Sequence, residues 1–242
     1  MKKIRNMQIL IPLILIVVLI IASTIYIINY NNKDQIKFKK EYENLNNQKL
    51  ENNNKARKVI IPGNNPIIYA TAEEISKKID NKETFAVYFG FSKCPWCRSI
   101  ISNLLKAAKD LNVKKIYYVD VENIRDIKEF KNDKIKTTKK GSNGYYKLLK
   151  SLDNILDDYK ITDKNNTEIS VNEKRIYAPT IVGIVDGKAQ KSTTGISSLQ
   201  KEPYMKLTQK MNKESTKNIK EVLKLTLPKQ NKTCQSRGKN VC

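Results

Sequence analysis

Apolar and polar positions divide the chain into stretches of different period. Met7 to Ile28 is apolar apart from Gln8, Ser23, Thr24 and Tyr26, and a span of about 20 such residues crosses a bilayer as a helix. Asn29 to Lys58 is rich in Asn and Lys, with Ile36, Phe38, Tyr42, Leu45 and Leu50 too sparse to promise a core. It reads as a polar stalk. Pro62-Gly63-Asn64-Asn65-Pro66 is a dense turn signal and marks a domain boundary. Thr71-Ala72-Glu73-Glu74 matches a capping box that opens a short helix, with Ile75 and Ile79 on one face. The run Thr84 to Phe91 is short, aromatic and β-branched, which predicts a buried strand. From Trp96, the apolar positions Ile100, Ile101, Leu104, Leu105, Ala108 and Leu111 follow helical spacing. Lys115 to Val121 reads as a second strand, giving a strand-helix-strand unit whose strands run parallel.

The second half is less regular. The first part of Asn123 to Arg175 is lysine-rich and punctuated by Gly141 and Gly144, which predicts a mobile loop. Tyr145, Leu148, Leu149, Leu152, Ile155, Leu156 and Tyr159 then mark an amphipathic helix, either a core element or a cover for a neighbouring site. Asp163-Lys164-Asn165-Asn166 is a turn between two short runs able to pair. Asp186-Gly187 is a hairpin signal joining Ile181–Val185 to Lys188–Ser192. Pro203 opens a helical stretch through Tyr204, Leu207, Met211, Ile219, Val222, Leu223 and Leu227, which Pro228 ends. The division is a cytoplasmic N-terminus (1–8), a transmembrane anchor (9–29), a stalk (30–65), one α/β domain (66–228) and a cysteine-containing tail (229–242).

Composition changes this picture in two places. There is no histidine, which excludes Ser-His-Asp and Cys-His catalysis and histidine-based metal sites and leaves the cysteines as the plausible nucleophiles. The net charge is +22, but the lysines are spread along the chain among Asn and Ile, as coding bias in an AT-rich genome produces. No nucleic-acid motif accompanies the charge, so no nucleic-acid partner is expected. A basic face drawn to anionic lipid or wall polymer fits better. Lys2, Lys3 and Arg5 precede the apolar span, so the positive-inside rule places everything after Tyr30 outside the cell membrane, where disulfides persist. The alternative is a cleaved signal peptide, yet Ile25-Tyr26-Ile27-Ile28 offers no small-residue cleavage site.

The candidate chemistry lies in Ser92-Lys93-Cys94-Pro95-Trp96-Cys97-Arg98. Cys94 falls at a helix N-terminus, where unpaired backbone N–H groups and the helix dipole favour a thiolate. Pro95 suits the first helical position. Lys93 and Arg98 add positive charge, and Cys97 lies one turn further in, close enough to form a disulfide with Cys94. A zinc site would need a second ligand pair, and Cys234 and Cys242 are too widely spaced to supply one. Outside the membrane these two read as a disulfide closing a short loop, or else as a second pair exchanging with Cys94 and Cys97.

A Cys-x-x-Cys at a strand-to-helix junction resembles the site of the thioredoxin superfamily, over roughly Thr71 to Leu227. The anchor, the run Phe89-Gly90-Phe91-Ser92-Lys93-Cys94-Pro95-Trp96-Cys97 and the long insertion look like the bacteriocin transport accessory proteins of Gram-positive bacteria. The resemblance implies a thioredoxin-like α/β fold with a helical insertion. Its activity would be thiol–disulfide exchange without cofactor or metal, with Cys94 the nucleophile and Cys97 the resolving thiol. Pro179, in Arg175 to Val182, would be a cis-proline facing the cysteines and keeping metal out, whereas the plain reading is a proline opening a strand. Trp96, Ala178 and Pro179 would contact substrate. The partners implied are exported cysteine-containing polypeptides and a redox partner protein. Two positions depart from the family pattern: Tyr88 stands where thioredoxins carry a buried acid, and Lys93 where they carry a tryptophan. The alternative function is a non-catalytic peptide-holding accessory to export.

Overall fold

A computed structural model of the chain describes residues 18, 23, 33–50 and 54–228. A helix α1 covers 33–43. It is followed by β1 (Ile67–Tyr69), α2 (Ala72–Asp80), β2 (Phe85–Gly90), α3 (Pro95–Asp110), β3 (Ile116–Asp120), β4 (Ile127–Lys131) and β5 (Lys134–Lys139). Then come α4 (Asn143–Ser151), β6 (Asp157–Thr162), β7 (Glu168–Arg175), β8 (Thr180–Val185), β9 (Lys188–Thr193) and α5 (Gln209–Leu223). Five strands form a central mixed sheet in the order β1-β3-β2-β8-β9. β1, β3 and β2 run parallel, while β8 is antiparallel to β2 and β9 to β8. The architecture is thus mixed α/β, and the expected β2–α3–β3 unit with parallel strands is present.

β2 is buried at every position, because helices cover both faces of the sheet. Its pleat sends Ala86 and Tyr88 into one core with α3 and α5, and Phe85, Val87 and Phe89 into the other with α2 and α4. Burying each large apolar side chain contributes about 1.5–3 kcal/mol, so the strand that leads to Cys94 is held from both sides. The capping box at Thr71 and Glu74 forms as expected. The β8–β9 hairpin turns on Asp186 (φ 50°) and Gly187 (φ 71°), the mirror-image turn that suits twisted strands. Only glycine fits the second position, since a Cβ there would stand 2.3 Å from the Ile79 carbonyl oxygen.

Four expectations are corrected. Residues 33–50 and 54–61 are not a stalk, because Phe38 and Tyr42, one turn apart on α1, are fully buried together with Val59 and Ile61. Phe38 packs edge-on against Tyr118 of β3 with ring centroids 5.0 Å apart. Asp34 accepts the Tyr69 backbone N–H of β1 at 3.0 Å. These apolar residues are too few to make a core of their own, but they complete one that the sheet already offers. The domain therefore extends N-terminally of 66, to 33 at least.

The insertion differs too. Its lysine-rich part is the β4–β5 hairpin, turned by Asn132 (φ 53°) and Asp133 (φ 55°), two residues that tolerate left-handed backbone. α4 stops at Ser151, so Leu156 and Tyr159 lie on or beside β6 rather than on a helix. The insertion is one helix between two hairpins, and β6 and β7 pair across the turn at 163–166 as their sequence suggests. Finally, Pro203 to Leu207 is not helical, and α5 starts at Gln209 with Thr208 as its cap. The Pro203 and Met205 carbonyls instead accept from the Arg57 guanidinium. The expected anchor at 9–29 and the tail at 229–242 lie outside the described residues.

Candidate active site

Leaving β2, the chain turns back on itself, with the Cys94 N–H donating to the Phe91 carbonyl at 3.2 Å. Cys94 is extended (φ −65°, ψ 117°) and caps α3, with Pro95 at the start of the helix. Its sulfur accepts the Cys97 backbone N–H at 3.2 Å, so the thiol itself serves as the cap that Ser or Asp usually provides. Across the site, the Cys94 thiol donates to the Ala178 carbonyl at 3.4 Å. The Ala178–Pro179 peptide bond is cis. The β2–β8 register explains this meeting of distant residues: Phe89 lies opposite Thr180, which brings the residues before β8 beside those after β2.

The two thiols are set apart electrostatically. The Cys94 thiol is held below the ordinary thiol range by a hydrogen bond from the Cys97 side chain, aided by the Cys97 and Trp96 backbone N–H groups and the Arg125 cation, and opposed by burial. Burial pushes the Cys97 thiol well up, and the neighbouring Cys94 sulfur adds to this. Neither sulfur is open: Cys94 is 5 % exposed and Cys97 0 %. Cys94 is thus the acidic thiol of the pair, though less exposed than its place at a helix end suggests.

The sources of positive charge are not those the sequence suggests. Arg98, 1 % exposed, faces away from the sulfur. Its guanidinium donates to the Tyr42 carbonyl (2.9 Å), the Ser92 carbonyl (3.2 Å), Asn46 Oδ1 (2.7 Å) and the Arg57 carbonyl (2.6 Å from Nη2, 2.9 Å from Nε). It fastens the segment 42–57 to the first turn of α3. Lys93 reaches Glu122 at 3.1 Å, a carboxylate that offsets its charge. Arg125, five residues beyond β3, is the cation that acts on Cys94. Its guanidinium lies over the Phe91 ring, 5.3 Å from the centroid.

Beneath Cys97 lies an array of phenols. Tyr88 is fully buried and its hydroxyl acts on the Cys97 thiol, favouring the ionised form against the effect of burial. The same hydroxyl lies 3.0 Å from that of Tyr42. A thiolate only accepts, so with Cys97 ionised Tyr88 must donate to it, and Tyr42 must then donate to Tyr88. Gly90 leaves room for this, since a Cβ there would lie 2.4 Å from the Tyr88 hydroxyl oxygen. Tyr88 also stacks on Tyr118 at 5.5 Å. Burial raises both the Tyr88 and Tyr42 hydroxyls well above the ordinary phenol range, so they act as donors and not as bases.

The fold brings together Cys94, Cys97, Ala178 and Pro179, with Trp96 half-buried in the first turn of α3. Cys234 and Cys242 lie outside the described residues. Two contributors, Tyr42 and Arg125, escape sequence reasoning. A signal for the second exists: arginine is rare beside lysine in this chain, and each described arginine makes a directed contact. Arg57 and Arg98 bind backbone carbonyls, Arg175 binds Asp126 and Arg125 stacks on Phe91, contacts that suit a planar guanidinium. Searches with protein-family models and against curated proteins return no match to the chain.

Proposed function

We propose that the protein is a thiol–disulfide oxidoreductase of thioredoxin-like fold that acts on cysteine-containing polypeptides outside the membrane to which its N-terminal span anchors it. The observation that carries the reading is the opposite perturbation of two adjacent thiols, one capping a helix and facing a cis-proline segment, the other buried against a phenol. The sheet order and the strand–Cys-x-x-Cys–helix junction support the fold assignment.

In the reducing direction, the Cys94 thiolate attacks one sulfur of a substrate disulfide. A Cys94–substrate disulfide forms, the substrate S–S bond breaks, and the first substrate thiolate leaves. Cys97 then gives its proton to that departing thiolate or to water, and its sulfur attacks Cys94. The second substrate thiolate is released and the Cys94–Cys97 disulfide forms, so two electrons pass to the substrate. Tyr88 steadies the Cys97 thiolate at this step. A dithiol partner protein restores the reduced pair, and the same steps reversed oxidise a substrate dithiol.

The Cys97→Ser variant tests this reading. It should accumulate Cys94–substrate mixed disulfides with exported proteins, while Cys94→Ser traps none and turns over nothing. If Cys97→Ser traps no partner and the wild type neither reduces nor oxidises a test disulfide, the protein is instead a peptide-holding module.

A further inference from the structure

An open groove of about 550 Å³ lies in the insertion, between the strands β4 and β6. Arg125, Lys128, Tyr159, Lys160, Arg175 and Tyr177 line it. Tyr177 directly precedes Ala178, whose carbonyl touches Cys94. The walls are fixed by two bonds: the Lys128 N–H of the first hairpin donates to the Tyr159 hydroxyl of the second at 3.2 Å, and within the second the Lys160 N–H donates to the Tyr177 hydroxyl at 3.0 Å. The hydroxyls therefore hold the scaffold, and the Arg175 guanidinium covers the Tyr159 ring, 4.0 Å from its centroid. The insertion is a built wall beside the site and not a loop.

The charges of this groove are unbalanced in one place. Arg175 is paired with Asp126 at 3.3 Å, Lys160 with Glu168 at 3.0 Å and Lys128 with Glu173. One acid, Glu129, lines the groove and is exposed. Arg125 has no ion-pair partner among the described residues, and its Nε is buried without a hydrogen-bond acceptor. A guanidinium partly withdrawn from water and left with an unmet donor is costly unless something supplies an acceptor. A carboxylate matches its fork geometry.

We propose that this groove is the substrate subsite that selects an extended polypeptide segment carrying a carboxylate side chain close to its reactive cysteine, with Arg125 receiving the carboxylate and the half-buried Tyr177 packing against the neighbouring residues. The inference rests on the oxidoreductase reading and adds its substrate class. A peptide is the fitting occupant because Tyr177 in the groove wall directly precedes Ala178, whose carbonyl meets the Cys94 thiol, and because the walls are aromatic as well as basic. The tail at 229–242 does not fit, as it contains Lys229, Lys232, Arg237 and Lys239 and no acid.

Two synthetic peptides test it, each bearing one cysteine as a mixed disulfide with 2-mercaptoethanol and differing only in flanking Asp and Glu against Asn and Gln. Wild type should reduce the acidic peptide faster in kcat/KM, by about tenfold at low salt, as one charge-assisted bond implies. The ratio should shrink as salt rises. Reading the ratio within each variant cancels changes in sulfur reactivity: Arg125→Gln should bring it near one, and Lys160→Glu, on the far wall, should lower it. Thermal melts establish that both variants are folded. Equal rates for the two peptides with wild type overturn the proposal, including when inorganic polyphosphate inhibits both, which marks a general affinity for polyanions. Failure of wild type to reduce bis(2-hydroxyethyl) disulfide overturns the oxidoreductase reading instead. Fluorescence anisotropy of the labelled acidic peptide, against its amide counterpart, then still tests the groove.

Discussion

The hydroxyl of Tyr42 lies 3.0 Å from that of Tyr88, so a helix from the polar N-terminal stretch is bonded to the phenol beneath Cys97. The pair makes an array of donors that ends on sulfur. No carboxylate is bonded to either hydroxyl among the described residues, so the array stabilises a Cys97 thiolate without carrying its proton to solvent.

Tyr88→Phe should accordingly slow decay of the Cys94–substrate mixed disulfide while leaving alkylation of Cys94 nearly unchanged. The orphaned Tyr42 hydroxyl should cost about 1–3 kcal/mol of stability, and a Tyr42→Phe, Tyr88→Phe double variant should recover much of that while remaining slow. Rapid-quench measurement of the mixed disulfide separates the two effects. Resolution at the wild-type rate would mean that Tyr88 only fills space.

The segment 33–61 should prove indispensable to the fold. Phe38→Ala removes a fully buried ring and should cost about 3–5 kcal/mol, read as a lower urea midpoint. A chain that begins at Pro66 loses Phe38, Tyr42, Val59 and Ile61 and strips Arg98 of its acceptors at Tyr42, Asn46 and Arg57. It should lack a cooperative unfolding transition, and a sharp melt from that fragment would contradict the packing described above.

Stability of the reduced form should depend on pH in two opposing ways. Cys94 has a depressed thiol pKa, so its contribution is present above the unfolded value of about 8.5 and is lost as pH falls through its folded value. Cys97 has a raised one, so its contribution is present below about 8.5 and is lost as pH rises through its own folded value. The reduced protein minus the Cys94→Ser, Cys97→Ser variant should show a stability difference that peaks near the ordinary thiol pKa. A difference that is flat up to about pH 8.5 and falls above it, with no rise on the acid side, would mean that Cys94 is not depressed.

Cys234 and Cys242 should form a disulfide independent of the active site. The Cys94→Ser, Cys97→Ser protein, recovered from outside the membrane, should still carry one intramolecular disulfide by mass spectrometry. Protease added to wall-stripped cells should remove its domain and spare the N-terminus. Two free thiols would favour a pair that exchanges with Cys94 and Cys97.

Much of the core was legible in the sequence because local rules suffice there. The run Phe85 to Gly90 is buried on both faces and reads as a continuous apolar strand, the helical stripe after Trp96 is long, and Thr71 with Glu74 caps α2 by contacts three residues apart. Cys94 at a helix end follows from the same local pattern, and so does Pro179 at the start of β8. Tertiary structure decided what depends on partners far along the chain. Phe38 and Tyr42 look stranded in a polar stretch because the core they fill belongs to β1, β3 and α3. Arg98 adjoins Cys97 in sequence but turns away to carbonyls of the segment 42–57. Arg125, remote in sequence, supplies the cation that Cys94 feels. A side chain's neighbours in sequence set its helix or strand; its charge and hydrogen bonds act through space, and only the folded chain fixes those distances.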